Sequence, residues 1–158
     1  MIQSPLNYTG GKYRLLSQIL PLFPDDIETF VDLFCGGCNV GINVMANNHL
    51  YNDSSEQLIN LYWIMQRIDT EKFINSVDYI INEYHLSNVS KNGYDYYGCC
   101  SSDGLSKYNR ENYLKLRKNL NDNKNYDEEY FLKLYVLILY SFNNQIRFNK
   151  SGDFNLPP

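Results

Sequence analysis

The chain has 158 residues, of which 44% are apolar and 20% charged, and it carries 15 tyrosines and a net charge of −4. That length suits one domain, or one domain with a small appendage, and the apolar share is enough to build a core. No apolar run approaches the roughly 20 residues a membrane-spanning helix needs, and the opening "MIQSPLNYTGGKYR" has no apolar secretory core, so a cytoplasmic location is expected.

In chain order, the first feature is "PLNYTGGKYRLL", with Gly10 and Gly11 followed by Lys12. It is too short for the GxxxxGK[ST] phosphate loop. An aromatic, two glycines and a lysine can instead fold over a bound adenosine, with Tyr8 stacking and Lys12 meeting a ligand carboxylate. The plainer alternative is a glycine turn with a solvated lysine.

Next comes "TFVDLF" (Thr29–Phe34), whose β-branched and aromatic residues predict a buried strand. It runs into "CGGCNVG". The following "VGINVMANN" has short helical character, and "HLYND" (His49–Asp53) reads as a second strand. Ser54 and Ser55 are candidate caps for the helix "EQLINLYWIMQRI", in which Leu58, Leu61, Tyr62 and Met65 share one face.

A strand that ends in an acid and turns through glycines into a helix makes a cradle for a nucleoside ligand. Helix N-terminal N–H groups favour negative charge, and glycines let the backbone come close. A second acid at the end of the next strand can accept both ribose hydroxyls. Asp32, Gly36 and Asp53, with Asp53 21 positions after Asp32, have that layout. The competing reading of Cys35-x-x-Cys38 is a redox or metal site. Cys99 and Cys100 are adjacent and His49 and His85 isolated, which does not make a zinc set, so no metal is expected. A ligand turn, with Cys35 and Cys38 as packing residues, is favoured.

Beyond residue 68 the character changes. "EKFINSVDYIINEYHL" predicts an amphipathic helix with Phe73, Val77, Ile80, Ile81 and Tyr84 inward, and "SNVSKNGYDYYGCCSSDGLSK" predicts a loop. "NRENYLKLRKNLN" and "DEEYFLKLYVLILYSFNN" predict two more helices, the second with acids in its first turn. "IRFNKSGDFNLPP" predicts a tight β-hairpin around Lys150-Ser151-Gly152. Charge is uneven: residues 1–104 hold 5 basic and 12 acidic residues, residues 105–158 hold 9 and 6. The basic part is where a phosphate backbone is expected to lie.

Four segments in order, "PLNYTGGKYRLL", "FVDLFCGGCNVGINV", "YNDSSEQLINLYW" and "LYSFNNQIRFNKSGDFNLPP", resemble the Dam-like, D12-class adenine-specific DNA methyltransferases. The resemblance spans nearly the whole chain. It implies an α/β fold: a partial Rossmann-like methyltransferase core over residues 1–68, and an inserted, mainly helical target-recognition domain with a β-hairpin over 69–158. It implies S-adenosylmethionine as the donor and double-stranded DNA as the partner. Tyr8, Gly10 and Lys12 match the family's N-terminal donor motif, Asp32, Phe34 and Gly36 its glycine loop, and Asp53 its ribose acid. Arg147 matches an arginine that reads a guanine, and Phe142 stands where similar enzymes insert an aromatic wedge into the duplex. Asn143, Asn144 and Gln145 are candidates for base edges or phosphates. For Phe142 the alternative is a core aromatic at a helix end, and for Arg147 a hairpin ion pair.

The family's DPPY motif, which holds the flipped adenine, does not occur in the chain. No catalytic residue is therefore assigned within it, and the chain alone is expected to be inactive. Two strands are also too few for a doubly wound sheet. The expectation is an N-terminal portion of a longer methyltransferase, with an open sheet edge that a second chain could pair with. A non-catalytic DNA-binding or regulatory remnant, or one half of a split enzyme, is the alternative.

Overall fold

The structure, a computed structural model, describes residues 1–100, 102 and 104–158. The chain divides into two compact units, Met1–Trp63 and Ile64–Pro158.

In the first unit a short helix α1 (Leu16–Ile19) lies between two 3-10 turns, Tyr13–Leu15 and Leu20–Leu22, and its Leu16 is fully buried. Pro24 ends this stretch by forcing Phe23 into extended backbone (ψ 146°). Strands β1 (Ile27–Asp32) and β2 (Ala46–Tyr51) pair in parallel, Ile27 opposite Ala46 and Asp32 opposite Tyr51. Both begin earlier than the sequence pattern places them. Asn47 and Asn48, read as helical, belong to β2 because their side chains bond across the ladder. Asn47 Nδ2 donates to Glu28 Oε2 (2.7 Å) and Asn48 Nδ2 to the Glu28 carbonyl (3.3 Å).

Two further expectations are corrected here. The first strand was expected to be buried, yet Val31 is 53% and Phe34 80% exposed. Two paired strands leave both sheet faces open, and a parallel sheet buries its side chains only when covered on both. The short helix expected after the glycine turn is a single helical turn, closed by Ile42 N–H to Cys38 O (3.1 Å) and Val44 N–H to Val40 O (3.1 Å). The chain must return along β1 to start a parallel β2, a distance of about 17 Å at strand rise. Six helical residues would cover only about 9 Å of it. Looser turns span the rest.

Helix α2 (Glu56–Arg67) buries Leu58 and Leu61 completely. Ser55 stands just before it and accepts the Leu58 and Ile59 N–H groups at its carbonyl (3.1 and 3.2 Å), while Asp53 Oδ1 accepts the Ser55 N–H (3.0 Å).

In the second unit α3 (Thr70–Glu83) is capped by Asp69, which accepts from the N–H groups of Glu71 and Lys72, and it buries Val77, Ile80 and Ile81 as the pattern requires. Helix α4 (Val89–Asn92) and a 3-10 turn (Asp95–Tyr97) interrupt the predicted loop, of which Ser101 and Asp103 lie outside the described residues. Helix α5 (Ser106–Asp122) and helix α6 (Glu128–Tyr140) follow, the latter capped by Asp127 Oδ1 accepting from Tyr130 N–H (2.8 Å). Both α3 and α5 pack on α6. Helix α6 is therefore apolar nearly all round, and Phe131, Leu134, Leu137 and Ile138 form the core with Tyr113, Leu116 and Leu120 of α5. Buried Asn109 joins the α3–α4 connection to α5: its Oδ1 accepts from Ser87 N–H (2.8 Å) and its Nδ2 donates to Ser87 Oγ (2.9 Å).

The predicted hairpin is present in minimal form, an antiparallel bridge between Phe148 and Phe154 with their rings edge to face at 5.7 Å. Its turn is tied by Asn149, whose Oδ1 accepts the Ser151 and Asp153 N–H groups (both 2.9 Å), and Gly152 supplies the positive φ. The returning arm lies on α5. Asn121 bonds both backbone groups of Phe154, and Tyr113 and Arg117 both donate to the Leu156 carbonyl (3.0 and 2.9 Å). Among the described residues no helix is long and apolar enough to cross a membrane.

Candidate functional site

The N-terminal segment folds onto the glycine turn through close backbone packing. A Cβ added at Gly36 would stand 3.0 Å from the Tyr8 ring, and one at Gly37 would stand 3.1 Å from both Tyr8 Cβ and Asn39 Nδ2. Gly36 also has φ +46°, a left-handed backbone that a side chain opposes. Gly10 turns the N-terminal loop with φ +81°, and Lys12 Nζ folds back onto the Gly10 carbonyl at 2.5 Å. Asn39, 8% exposed, ties the two loops by accepting the Ser4 N–H (3.0 Å). Between them lies a cavity of about 260 Å³, and Tyr8, Gly10, Lys12, Asp32, Phe34 and Gly36 all line it.

Asp53 does not line that cavity. Its carboxylate stands at the edge of the glycine turn, Oδ2 accepting the Gly36 N–H at 2.9 Å while Oδ1 takes the Ser55 N–H. A carboxylate has about four acceptor positions, so roughly two remain for a ligand. Asp32 accepts the Gly41 N–H through Oδ2 (3.3 Å). Burial raises its pKa, the Gly41 N–H opposes that rise, and the nearby charge of Asp53 adds to it. Burial likewise raises the Tyr8 hydroxyl, helped by Asp53 and Cys35.

Cys35 and Cys38 are buried, with 7% and 6% of their surface exposed, and burial pushes both thiols up. A reactive cysteine needs the opposite, an exposed group with a lowered pKa. The pair packs the turn, and Cys38 holds a positive φ of 56° within it. Sequence reasoning missed Gly41 and Asn39. A Cβ at Gly41 would run into the Tyr51 ring and stand 3.0 Å from Asp32 Oδ2. The only sequence signal for either was a third glycine and a small amide within the same turn.

The second candidate region is the end of α6 and the hairpin. Phe142 is 60% exposed and borders a cavity of about 920 Å³ shared with Lys91, Tyr94 and Tyr140. Phe142 is therefore not part of the core formed by the described residues. Asn143 and Asn144 follow with φ +58° and +52°, and Asn144 Nδ2 donates to the Leu139 carbonyl (2.6 Å). Gln145 gives its carbonyl to the Ser141 hydroxyl (3.1 Å). Arg147 is exposed and bonds Asn155, a residue the sequence did not single out. Its contact is a neutral amide, not the ion pair offered as the alternative.

Comparison with known proteins bears on the family of the chain. The chain is 42% identical over 156 residues to modification methylase StsI of Streptococcus sanguinis, and 42% identical to type II methyltransferase M.FokI of Planomicrobium okeanokoites. Each match takes in 99% of the chain and 20% of the relative. A DNA adenine methylase of Vibrio cholerae is 29% identical over 155 residues, 96% of the chain and 46% of that protein. The chain thus spans about a fifth of the length of the first two relatives and under half of the third. The model of D12 class N6 adenine-specific DNA methyltransferases matches residues 8–158, and the chain belongs to that family.

Proposed function

We propose that residues 1–158 form the donor-binding and target-reading part of an adenine-N6 DNA methyltransferase. Residues 1–68 are assigned to a partial Rossmann-like core that binds S-adenosylmethionine, and residues 69–158 to an inserted helical domain that reads duplex DNA through its hairpin. The observation that carries this is the cavity lined by Tyr8, Gly10, Lys12, Asp32, Phe34 and Gly36, six of the residues that family resemblance assigns to the donor.

The residues present fit such a ligand. Gly36 and Gly37, which leave no room for a Cβ against Tyr8 and Asn39, let the N-terminal loop close onto the glycine turn and so set the wall of the cavity. Tyr8 offers a ring face, Lys12 a cation for a carboxylate, and Asp32 an acceptor for an amine. Asp53, already fixed by Gly36 and Ser55, keeps acceptor positions for ribose hydroxyls. When bound, S-adenosylmethionine supplies a sulfonium methyl that an amine nitrogen can take. No residue of this segment is assigned the transfer itself.

On the DNA side, Phe142 is exposed enough to enter a base stack, and Arg147 to reach a guanine edge. The donor assignment is tested by calorimetry with S-adenosylmethionine on the intact protein. Binding is expected, weakened on the order of tenfold or more by Asp53→Ala, since a ribose-binding carboxylate makes charge-assisted hydrogen bonds. Equal affinity in the two proteins would remove Asp53 from the site, and no binding to the wild type would end the donor assignment.

A further inference from the structure

Resting on the assignment of Arg147 as a guanine reader, we infer that Asn155 is a positioning residue that sets which edge of the Arg147 guanidinium faces the duplex. A solvated arginine samples many rotamers, and a bidentate base contact must freeze one of them. Here part of that ordering is done in advance. Arg147 Nε donates to Asn155 Oδ1 at 2.9 Å and Nη2 lies 3.4 Å from the Asn155 carbonyl oxygen. Those bonds occupy the Nε edge of the fork. The end-on edge, Nη1 with the outer proton of Nη2, is left to meet the N7 and O6 acceptors of guanine.

Asn155 can serve in this way because its neighbours fix it. Phe154 and Leu156, at 1% and 3% exposed, are buried on either side. Asn121 clamps Phe154 through both backbone groups, and Tyr113 and Arg117 hold the Leu156 carbonyl. The Asn155 N–H also donates to the Arg147 carbonyl at 3.2 Å, so the two residues are in register across the hairpin. Helix α5 therefore sets the returning arm, the arm sets Asn155, and Asn155 sets the arginine.

The test uses the intact protein and a duplex library randomised over a short central stretch, with the bound fraction sequenced. Wild type is expected to enrich guanine at one position, and Arg147→Ala to abolish that enrichment. Asn155→Leu keeps shape without an acceptor and should weaken the guanine enrichment about tenfold, within the range of one bidentate base contact. It should leave affinity for a fixed non-specific duplex within about twofold, as phosphate contacts carry that binding. Asn155→Asp restores an oxygen for Nε and should recover most of the enrichment. In the Arg147→Ala background, Asn155→Leu should change nothing further. Full guanine enrichment in Asn155→Leu overturns the inference, as does equal loss in the Leu and Asp variants. A parallel fall in non-specific affinity would make Asn155 a phosphate contact instead. If Arg147→Ala itself keeps the enrichment, it is the guanine-reader assignment that fails, and the two failures are thereby told apart.

Discussion

Asp32 is a carboxylate whose burial works against the fold, and the proposed donor site gives it a use. Its folded pKa is raised, first by burial and then by Asp53, against the pull of the Gly41 N–H. A raised acid binds more protons folded than unfolded, so the fold loses stability as pH rises from its ordinary value through the raised one. At pH 7 the ionised side chain therefore opposes folding. Asp32→Asn keeps an acceptor for Gly41 without the charge. Its melting temperature should equal or exceed that of wild type at pH 7, with the difference shrinking as pH falls toward the ordinary aspartate value, while affinity for S-adenosylmethionine drops. Melting curves across pH together with a donor titration check both halves. A variant less stable than wild type at pH 7 would mean the Gly41 bond outweighs burial. That Asp32 and Gly36 share one turn was legible because acid, glycine and second acid have a recognisable spacing. Asn39 was not, because its tie to Ser4 crosses 35 residues and leaves no local pattern. Asn155 was invisible for a similar reason: its partner is set by hairpin register.

Among the elements, α2, α3, α5 and α6 were legible because a helical apolar stripe survives any tertiary context. The strands were located but misplaced at their starts. Asn47 and Asn48 argue locally against a strand, and only the Glu28 side chain and carbonyl opposite them make extended backbone favourable. The stretch from Ser87 to Lys107 read as loop because its sequence lacks any period. Its anchor is the Ser87–Asn109 pair, to which Tyr140 adds a hydroxyl bond to the Ser87 carbonyl. Asn109→Ala would leave the buried Ser87 N–H without its acceptor, and an unsatisfied buried donor costs about 1–3 kcal/mol. Chemical denaturation should show that loss. A change under about 0.5 kcal/mol, the usual range of a surface substitution, would mean water replaces the amide freely.

For the molecule as a whole, the uneven charge acquires a location. Lys107 and Arg110, both exposed on the first turns of α5, line a cavity of about 320 Å³ with Arg117, and among the described residues no acidic one borders it. Net charge alone, at −4, argues against a polyanion partner; the arrangement on α5 argues for one. Replacing Lys107 and Arg110 with glutamine should flatten the dependence of log affinity on log salt for duplex DNA by about 2, one for each phosphate no longer neutralised. An unchanged slope would take α5 off the duplex path.

The pair Asn143 and Asn144, both at positive φ directly after Phe142, limits which side chains this stretch can carry. Left-handed backbone accepts glycine, asparagine and aspartate and rejects valine, isoleucine and threonine. Combinatorial libraries over 142–147 would thus be filtered by main-chain geometry before any nucleobase is met. If the stretch meets DNA as proposed, new sequence preferences are more accessible at positions 145 and 147, neither of which holds a positive φ.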